Sequence, residues 1–310
     1  MYPKTYTEII FEICQKHNIS IEPIYDTSIL KLTYNDSTRY IWSRRFDINS
    51  AISAKIADNK FETYKVLDSY SIPVVECIKI NRLFTNEYDN SSYSNFYICN
   101  EMLNKHTAIV IKPNCSYEGY DVFKCISKKQ IEEVLATLYY KYKYIVVSPF
   151  INIKSEYRAI FFKGEILLVY RKELPFIISD GEKPLIELLT EKEFRPYIKM
   201  FSESELNTIY RKGHKIYLNW KFNLSQGARC SMVNERNLYN KISSLAISVA
   251  KAIGINFASV DIIIDVNGKM QILEINAGVA MDQFIHKATN GRIIAASIYE
   301  KVIMHMFNLW

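Results

Sequence analysis

Residues 260–276 constrain the fold of this chain more than any other stretch, because two apolar runs there flank Asn267-Gly268. That dipeptide is typical of a β-hairpin with a two-residue type I′ turn. A turn of this length fixes the register of the whole ladder. The facing pairs are then Val266 with Lys269, Ile263 with Ile272, and Asp261 with Glu274. We therefore predict a hairpin in which two carboxylates lie directly opposite each other.

Two facing carboxylates repel each other unless a cation lies between them. Asn276 follows Glu274 by two residues, so it points to the same face of the strand. Carboxylate and amide oxygens are the ligands that Mg²⁺ prefers. The hairpin thus predicts a metal site at Asp261, Glu274 and Asn276. The alternative is a hairpin whose acids face water on the open side of an antiparallel sheet.

The composition is that of an ordinary globular protein, with 49% hydrophobic and 23% charged residues among 310. A chain of this length holds one large or two to three small packed units. The net charge of +6 is modest and spread along the chain, which argues against a nucleic-acid partner. The six cysteines form no C-x-x-C pair, and we see neither a signal peptide nor a long apolar run. These features predict a cytoplasmic protein with reduced thiols and no membrane contact.

Hydrophobic periodicity predicts mixed helices and strands along the chain. Helices are predicted over residues 7–16, 50–70, 128–142, 185–190, 203–211, 240–254 and 292–307. Strands are predicted over residues 29–34, 39–42, 108–113, 144–151, 156–162 and 166–172, the last two as a hairpin, and residues 71–75 are predicted to end a helix and begin an extended piece. Residues 81–100 are rich in Asn and Ser, and we interpret them as a loop.

Lys112 stands near the end of an apolar strand, where an unpaired ammonium is costly. A phosphate would satisfy it, and the following residues 114–120 would cover that phosphate. The other interpretation is a lysine whose side chain extends to solvent. The chain has no P-loop, no G-x-G-x-x-G, no G-x-S-x-G and no H-E-x-x-H motif, and its five histidines are isolated.

A set of short motifs, taken in order, resembles the ATP-grasp superfamily over about residues 50–310, and within it the carboxylate–amine ligase branch. That branch includes glutathione synthetases and enzymes that add amino acids to peptides or proteins. The motifs are Asn59-Lys60 with Thr63, Ser71-Ile72-Pro73-Val74, Ile109 to Pro113, Glu156-Tyr157-Arg158, Tyr170-Arg171-Lys172, Asn223 to Ala228, Val260 to Ile263, and Leu273-Glu274-Ile275-Asn276.

The resemblance implies an α+β ATP-grasp fold in which two α+β lobes clasp ATP. We expect a short N-terminal lead-in over residues 1–58, an N-lobe over 59–150 and a C-lobe over 151–310. It also implies an ATP-dependent enzyme that forms an amide or peptide bond through an acyl phosphate and releases ADP and phosphate. Its substrates would be small-molecule or peptide carboxylates and amines, and the resemblance allows a homodimer.

The resemblance also implies roles for individual residues. ATP would contact Lys60 and Lys112 at its phosphates, the strand containing Val147 and Phe150 at its adenine, and Glu156 at its ribose. Arg158 and Lys172 would stabilise the γ-phosphoryl group and the acyl phosphate, and Asn223 with Asp282 would face the acceptor. One or two Mg²⁺ ions, with Mn²⁺ as the alternative, would bind Asp261, Glu274 and Asn276.

The chain departs from the family's pattern in two places. The loop over residues 115–120 has a single glycine, Gly119, where relatives are usually richer in glycine. Ser148-Pro149 stands where many relatives carry a hinge glutamate, which is why the ribose contact is assigned to Glu156.

Two other functions stay open at this point. A phosphotransferase on the same fold would use the same ATP and metal residues but would leave a phosphorylated product. A non-catalytic nucleotide-binding protein is the third class. The intact set of Lys60, Lys112, Asp261, Glu274 and Asn276 argues against it, because a decayed site is expected to lose some of these residues.

Overall fold

The computed structural model describes residues 4–25, 28–81, 95–116, 119–191 and 194–309. The helices are α1 Lys4–Lys16, α2 Ala51–Ala57, α3 Lys60–Ser69, α4 Asn95–Lys105, α5 Lys128–Lys141, α6 Leu185–Leu188, α7 Glu203–Leu206, α8 Arg236–Ile253, α9 Asp282–Lys287 and α10 Gly291–Met306. Short 3₁₀ helices cover Arg195–Met200 and Leu224–Gln226. None of these described helices combines the length and apolar composition that crossing a bilayer requires.

The strands are β1 Ser20–Ile24, β2 Ile29–Tyr34, β3 Ser37–Trp42, β4 Arg45–Phe46, β5 Ile78–Asn81, β6 Ile109–Pro113, β7 Phe123–Cys125, β8 Tyr144–Pro149, β9 Ile153–Phe162, β10 Glu165–Glu173, β11 Phe176–Ile178, β12 Lys215–Tyr217, β13 Arg229–Met232, β14 Phe257–Asp265 and β15 Met270–Asn276. Both helices and antiparallel sheets are present, so the predicted α+β class is confirmed.

A five-stranded antiparallel sheet, in the order β13-β10-β9-β14-β15, forms the centre of the molecule. Because side chains alternate along a strand, each strand sends every second residue to one face. On one face Val169, Ala159 and Val260 pack against Ala246 and Val249 of α8. This face is mostly apolar, and burying each large aliphatic side chain stabilises the fold by about 1.5–3 kcal/mol.

The opposite face of the central sheet is divided into an apolar half and a charged half. The apolar half, which includes Ile160 and Phe257, packs against α1, α10 and the four-stranded lead-in sheet β1-β2-β3-β4. Phe257 meets the ring of Phe46 edge-on, with ring centroids 5.4 Å apart. The lead-in is therefore packed on the central sheet through a shared core.

A separate four-stranded sheet, in the order β5-β8-β6-β7, has its own core with α4 and α5. Ile111 and Val147 from the sheet pack there with Ile131 of α5. A chain segment and a β-bridge are among the links between this part of the chain and the central sheet. Residues 150–152 link β8 to β9, and Val74 forms a parallel bridge with Ile272 of β15.

The single helix predicted over residues 50–70 is two helices, α2 and α3, separated at Asp58-Asn59. Leu67 of α3 is fully buried in the core that α8 and the central sheet share. The helix that carries Lys60 therefore packs on the central sheet, not on the core of the β5-β8-β6-β7 sheet.

The loop predicted over residues 81–100 is wrong in its last part. Residues 95–105 form α4, whose Cys99 and Met102 are three residues apart and buried against the β5-β8-β6-β7 sheet. The many Asn and Ser residues of this segment favoured a loop, so the helical spacing of its apolar residues was overlooked. Residues 82–94 lie outside the described part of the chain.

Candidate active site

The turn of the β14–β15 hairpin is longer than predicted. Gly268 N donates to Asp265 O, and Asp265 N donates to Lys269 O, which leaves a three-residue loop, Val266 to Gly268. A type I′ turn would require a positive φ at both Asn267 and Gly268. Gly268 has φ +84°, but the φ of Asn267 is not positive. The Asp265 carboxylate accepts from the backbone N–H groups of Asn267 and Lys269 and so fixes this conformation.

The longer turn shifts the ladder by one residue, so Ile263 faces Gln271 instead of Ile272. A β-bulge between Asp261 and Ile262 then shifts it back, and Asp261 does face Glu274. The predicted pairing of the two carboxylates is confirmed, although the predicted turn is wrong.

The two acids belong to a row of polar side chains that crosses the charged half of the central sheet. Tyr170 of β10 faces Arg158 of β9, Arg158 faces Asp261 of β14, and Asp261 faces Glu274 of β15. In the adjacent row, Lys172 faces Glu156. The strands thus bring residues about 100 positions apart in the chain into side-by-side contact.

Asp261 is 2% exposed and is held by two cations. Arg158 Nε donates to Oδ1 at 2.7 Å and Arg158 Nη2 to Oδ2 at 2.6 Å, while Lys172 Nζ lies 3.0 Å from Oδ2. Burial by itself raises the pKa of Asp261, but Arg158 and Lys172 outweigh it and hold that pKa well below its ordinary value. Asp261 is therefore ionised and paired at any physiological pH.

Glu156 is also buried, and its Oε1 accepts from Lys172 Nζ at 2.6 Å. Burial raises the pKa of Glu156 to about 7, an increase that Lys172 offsets only in part. Its ribose contact stays a prediction, since the carboxylate is directed at Lys172 in this structure.

Lys60 and Lys112 lie near Glu274, at the charged half of the central sheet. Lys60 Nζ lies 3.9 Å from Glu274 Oε2 and donates to Ser116 O at 2.9 Å. Burial and the nearby Lys60 lower the pKa of Lys112, whereas Glu274 and Glu156 act to raise it. The two lysines that were predicted to contact phosphates therefore lie beside the carboxylates that were predicted to bind metal.

The donor set of the predicted metal site fits a hard divalent cation. Asp261 and Glu274 are register partners, and Asn276 Nδ2 contacts Glu274 Oε1 at 3.4 Å, so the three side chains are neighbours. Among the described residues no group of three or more His, Cys, Asp or Glu could hold a metal ion. The site has two carboxylates and an amide oxygen, and the Asp261 oxygens carry ion pairs.

Val147 lies on β8 of the β5-β8-β6-β7 sheet, and Phe150 directly follows that strand. Val147 is fully buried and paired on both sides, with Ile78 and with Ile111, so its side chain belongs to a core. Phe150 follows β8 and lies under Lys124, whose Nζ is 3.7 Å from the ring centroid. The Phe150 ring also meets Trp220 edge-on at 5.5 Å.

Asn223 caps the short helix Leu224–Gln226, since its Oδ1 accepts from Ser225 N and Ser225 Oγ at 3.0 Å. Its Nδ2 would lie 2.7 Å from a Cβ atom placed on Gly119. Asn223 thus packs against the end of the loop 115–120, of which residues 117 and 118 lie outside the described part.

Asp282, which was expected to face the acceptor beside Asn223, is instead buried against the lead-in. Its Oδ2 accepts from Arg44 Nε at 3.2 Å and from Arg44 Nη2 at 3.0 Å. Asp282 therefore joins α9 to the segment that follows β3.

The sequence interpretation gave no individual role to Tyr170, which it placed in a motif, or to Asn114 and Ser116, which it placed in the loop that would cover a phosphate. Tyr170 is 1% exposed and shares a face with Lys172, which the alternation of side chains along β10 would have indicated. Asn114 and Ser116 directly follow Lys112-Pro113, but no local pattern predicts that they contact the helix that carries Lys60.

Residues 208–302 match a family model described as the RimK-like ATP-grasp domain. A curated relative, the glutathione biosynthesis bifunctional protein GshAB of Clostridium perfringens, is 24% identical over 254 residues, which cover 74% of this chain and 31% of the relative. The chain thus spans about a third of that protein.

Solved structures share the fold. A bifunctional glutathione synthetase from Pasteurella multocida superposes with a TM-score of 0.59 at 18% identity, covering 99% of this chain and 44% of that one. The D-alanine–D-alanine ligase of Bacillus anthracis gives 0.57 at 16% identity, covering 84% and 69% of the two chains. A structure of that ligase complexed with ATP gives 0.54.

Proposed function

We propose that this chain belongs to the ATP-grasp superfamily and is an ATP-dependent ligase that joins a carboxylate to an amine and releases ADP and phosphate. The observation that carries the proposal is the polar row Arg158–Asp261–Glu274 with Lys60 facing it. Two adjacent carboxylates lie there between Arg158 and Lys60, and such a mixture of acidic and basic groups suits a polyanion bound together with a cation. The relatives named as glutathione synthetase and D-alanine–D-alanine ligase support the choice of ligation.

In this proposal, ATP lies between the β5-β8-β6-β7 sheet and the charged half of the central sheet. Lys60 and Lys112 would neutralise its phosphates, because both ammonium groups lie beside the carboxylates of the row. The strand containing Val147 would contact the adenine through backbone groups, and Phe150 would contact it through its ring. Glu156 would orient Lys172, to which its carboxylate is bound.

Asp261, Glu274 and Asn276 would hold Mg²⁺, or Mn²⁺ as the alternative. When bound, the ion would shield the phosphate charges and favour attack at the γ-phosphorus. Arg158 and Lys172 neutralise Asp261 in this structure, and we propose that the same two cations would also stabilise the phosphoryl oxygens.

The reaction would proceed in two steps. First, an oxygen of the substrate carboxylate attacks the γ-phosphorus, the bond to the β,γ-bridging oxygen breaks, and ADP leaves. Arg158 and Lys172 would stabilise the charge on the transferred group and on the acyl phosphate. Second, the amine nitrogen attacks the acyl carbon, phosphate leaves, and the nitrogen loses a proton. The protein would supply positioning instead of a nucleophile, with the Asn223 loop on the acceptor side.

The test is an incubation of the protein with ATP, Mg²⁺ and pooled amino acids and short peptides. We expect ADP and phosphate only when both a carboxylate and an amine are present, together with a product of the mass of their amide. Release of AMP, or turnover without an acceptor, would contradict ligation. A stable phosphorylated product would instead identify a phosphotransferase.

A further inference from the structure

We propose that Asn114 is a positioning residue for ATP binding: from the segment that follows β6, it caps helix α3 and so fixes the position of the Lys60 ammonium. The inference rests on the proposed function, in which Lys60 contacts the phosphates. Asn114 directly follows β6 and is 3% exposed, whereas Lys60 is the first residue of α3.

The start of α3 lacks the cap that its own sequence offers. The first N–H groups of a helix have no partner within the helix and need an acceptor from elsewhere. Asn59 is at the N-cap position, but its side chain makes no capping hydrogen bond, and its Nδ2 donates back to Lys55 O. An asparagine at this position normally satisfies the helix itself.

Asn114 supplies the missing acceptors. Its backbone O accepts from Lys60 N at 3.2 Å, and its Oδ1 accepts from Phe61 N at 3.0 Å. Both of the first two N–H groups of α3 are therefore satisfied by one residue that lies 54 and 53 positions further along the chain.

The amide nitrogen of Asn114 is used as well. Nδ2 donates to Asn59 Oδ1 at 3.1 Å and to Glu62 Oε2 at 3.0 Å. Every polar atom of this buried side chain thus has a partner on the first turn of α3. Because unpaired buried groups are costly, the network allows one relative position of Asn114 and the helix.

Asn114 also connects the two parts of the molecule that would enclose ATP. Its own N–H donates to Tyr144 O of β8, which ties it to the β5-β8-β6-β7 sheet, whereas α3 packs Leu67 into the core of the central sheet. Lys60 lies at this junction, with Ser116 O and Glu274 within reach of its ammonium. Loss of the Asn114 side chain would let α3 and β6 separate and move Lys60.

The experiment measures the affinity for ATP and for adenosine by calorimetry in the wild type and in Asn114→Ala. We expect ATP affinity to fall about tenfold, since one or two interactions of Lys60 with phosphate would weaken. Adenosine carries no phosphate, so its affinity should change less than about twofold. Combined with Lys60→Met, Asn114→Ala should cause no further loss, because it acts through that lysine.

Asn49→Ala is the matched control. Asn49 is a partly buried asparagine whose side chain, like that of Asn114, joins separate segments, with Nδ2 donating to Phe257 O and Oδ1 accepting from Asn256 N and Phe257 N. Its loss should lower the melting temperature without changing ATP affinity. If Asn114→Ala does not fold, the same affinities are measured in Asn114→Ser, because a serine hydroxyl is too short to bridge the same partners.

Wild-type ATP affinity in Asn114→Ala, or in Asn114→Ser where the alanine variant does not fold, would overturn the inference. So would an equal loss for ATP and adenosine, which would indicate a general loss of structure. A wild-type protein that binds no ATP would overturn the proposed function together with this inference. Normal ATP binding by both proteins would overturn this inference alone.

Discussion

Arg158 and Asp261 lie opposite each other on β9 and β14 and are joined by two parallel hydrogen bonds of 2.7 and 2.6 Å. A guanidinium matches a carboxylate in this fork geometry, which makes such pairs specific as well as strong. The residue proposed to bind metal is thus neutralised by a residue proposed to stabilise the transferred phosphoryl group.

Removal of Arg158 should leave a buried carboxylate short of a partner. We expect Arg158→Met to lower the free energy of unfolding by about 3 kcal/mol, because an uncompensated buried charge is costly. We also expect it to abolish ADP release, because the cation proposed to stabilise the transferred phosphoryl group is lost. Urea unfolding measures the first effect. Arg45→Met removes an exposed pair with Asp58, of 2.7 Å, and should cost less than about 1 kcal/mol. If the two variants lost the same free energy of unfolding, the buried pair would be no more stabilising than the exposed one.

Glu156 should make the protein less stable as pH rises from 5 to 8. Its pKa in the folded state is about 7, above the ordinary value of 4.5, so in that interval the folded protein keeps a proton that the unfolded chain releases. Stability falls with rising pH wherever the folded state binds more protons. Glu156→Gln should flatten this decline, as measured by urea unfolding at pH 5, 6, 7 and 8.

Asp261 has the opposite effect on stability, because its pKa is lower in the folded protein than in the unfolded chain. Its contribution to stability is present at pH values above the ordinary pKa of an aspartate and is lost only as the pH falls into the acid range. The two effects therefore separate by pH. An unchanged slope between pH 5 and 8 in Glu156→Gln would show that another group titrates there.

Glu274→Gln keeps the shape of the side chain and removes its charge. We expect Mg²⁺-dependent ADP release to fall about 100-fold or more, because a charged group at the site of phosphoryl transfer is lost. The melting temperature should stay near that of the wild type, since the Glu274 side chain is 26% exposed. Glu165→Gln, which loses a surface pair with Lys301, is the control and should retain activity. Undiminished turnover in Glu274→Gln would refute the metal assignment.

Gly119 should be required for the contact between the loop 115–120 and Asn223. It has φ +66°, and an added Cβ would lie 2.7 Å from Asn223 Nδ2. Gly164 has φ +96° with no atom within 4 Å of such a Cβ, so Gly164→Ala introduces the backbone strain without the clash.

We expect both alanine variants to lose about 1–2 kcal/mol of stability from the positive φ. Gly119→Ala alone should also reduce ligase turnover, because Asn223 must move. Steady-state rates at saturating ATP distinguish the two variants. Equal rates would mean that the position of Asn223 does not affect the reaction.

Local pattern was enough to predict most helices and strands. The helix predicted over residues 128–142 is α5, Lys128–Lys141, and the strands predicted over residues 29–34 and 39–42 are β2 and β3. Alternation of apolar residues and turn-forming pairs is written into short segments, and these elements do not depend on distant partners. The ordered motifs also indicated the ATP-grasp fold that the solved structures share.

The sequence could not determine what depends on distant residues. The three-residue turn and the bulge that returns Asp261 to Glu274 reflect pairing of β14 with β9 as well as with β15. The capping of α3 by Asn114 depends on two segments more than 50 residues apart.

By itself, the sequence of residues 260–276 determined a hairpin with two acids on its strands, because the apolar runs and the turn-forming residues lie within one short segment. The β-bulge that returns Asp261 to Glu274 after the longer turn is a feature of the folded sheet. Only the tertiary structure decided that Arg158 and Lys172 neutralise Asp261 and that Lys60 faces Glu274. Those contacts come from strands and helices that meet through packing of separate cores, and their free energy is not encoded in any one segment.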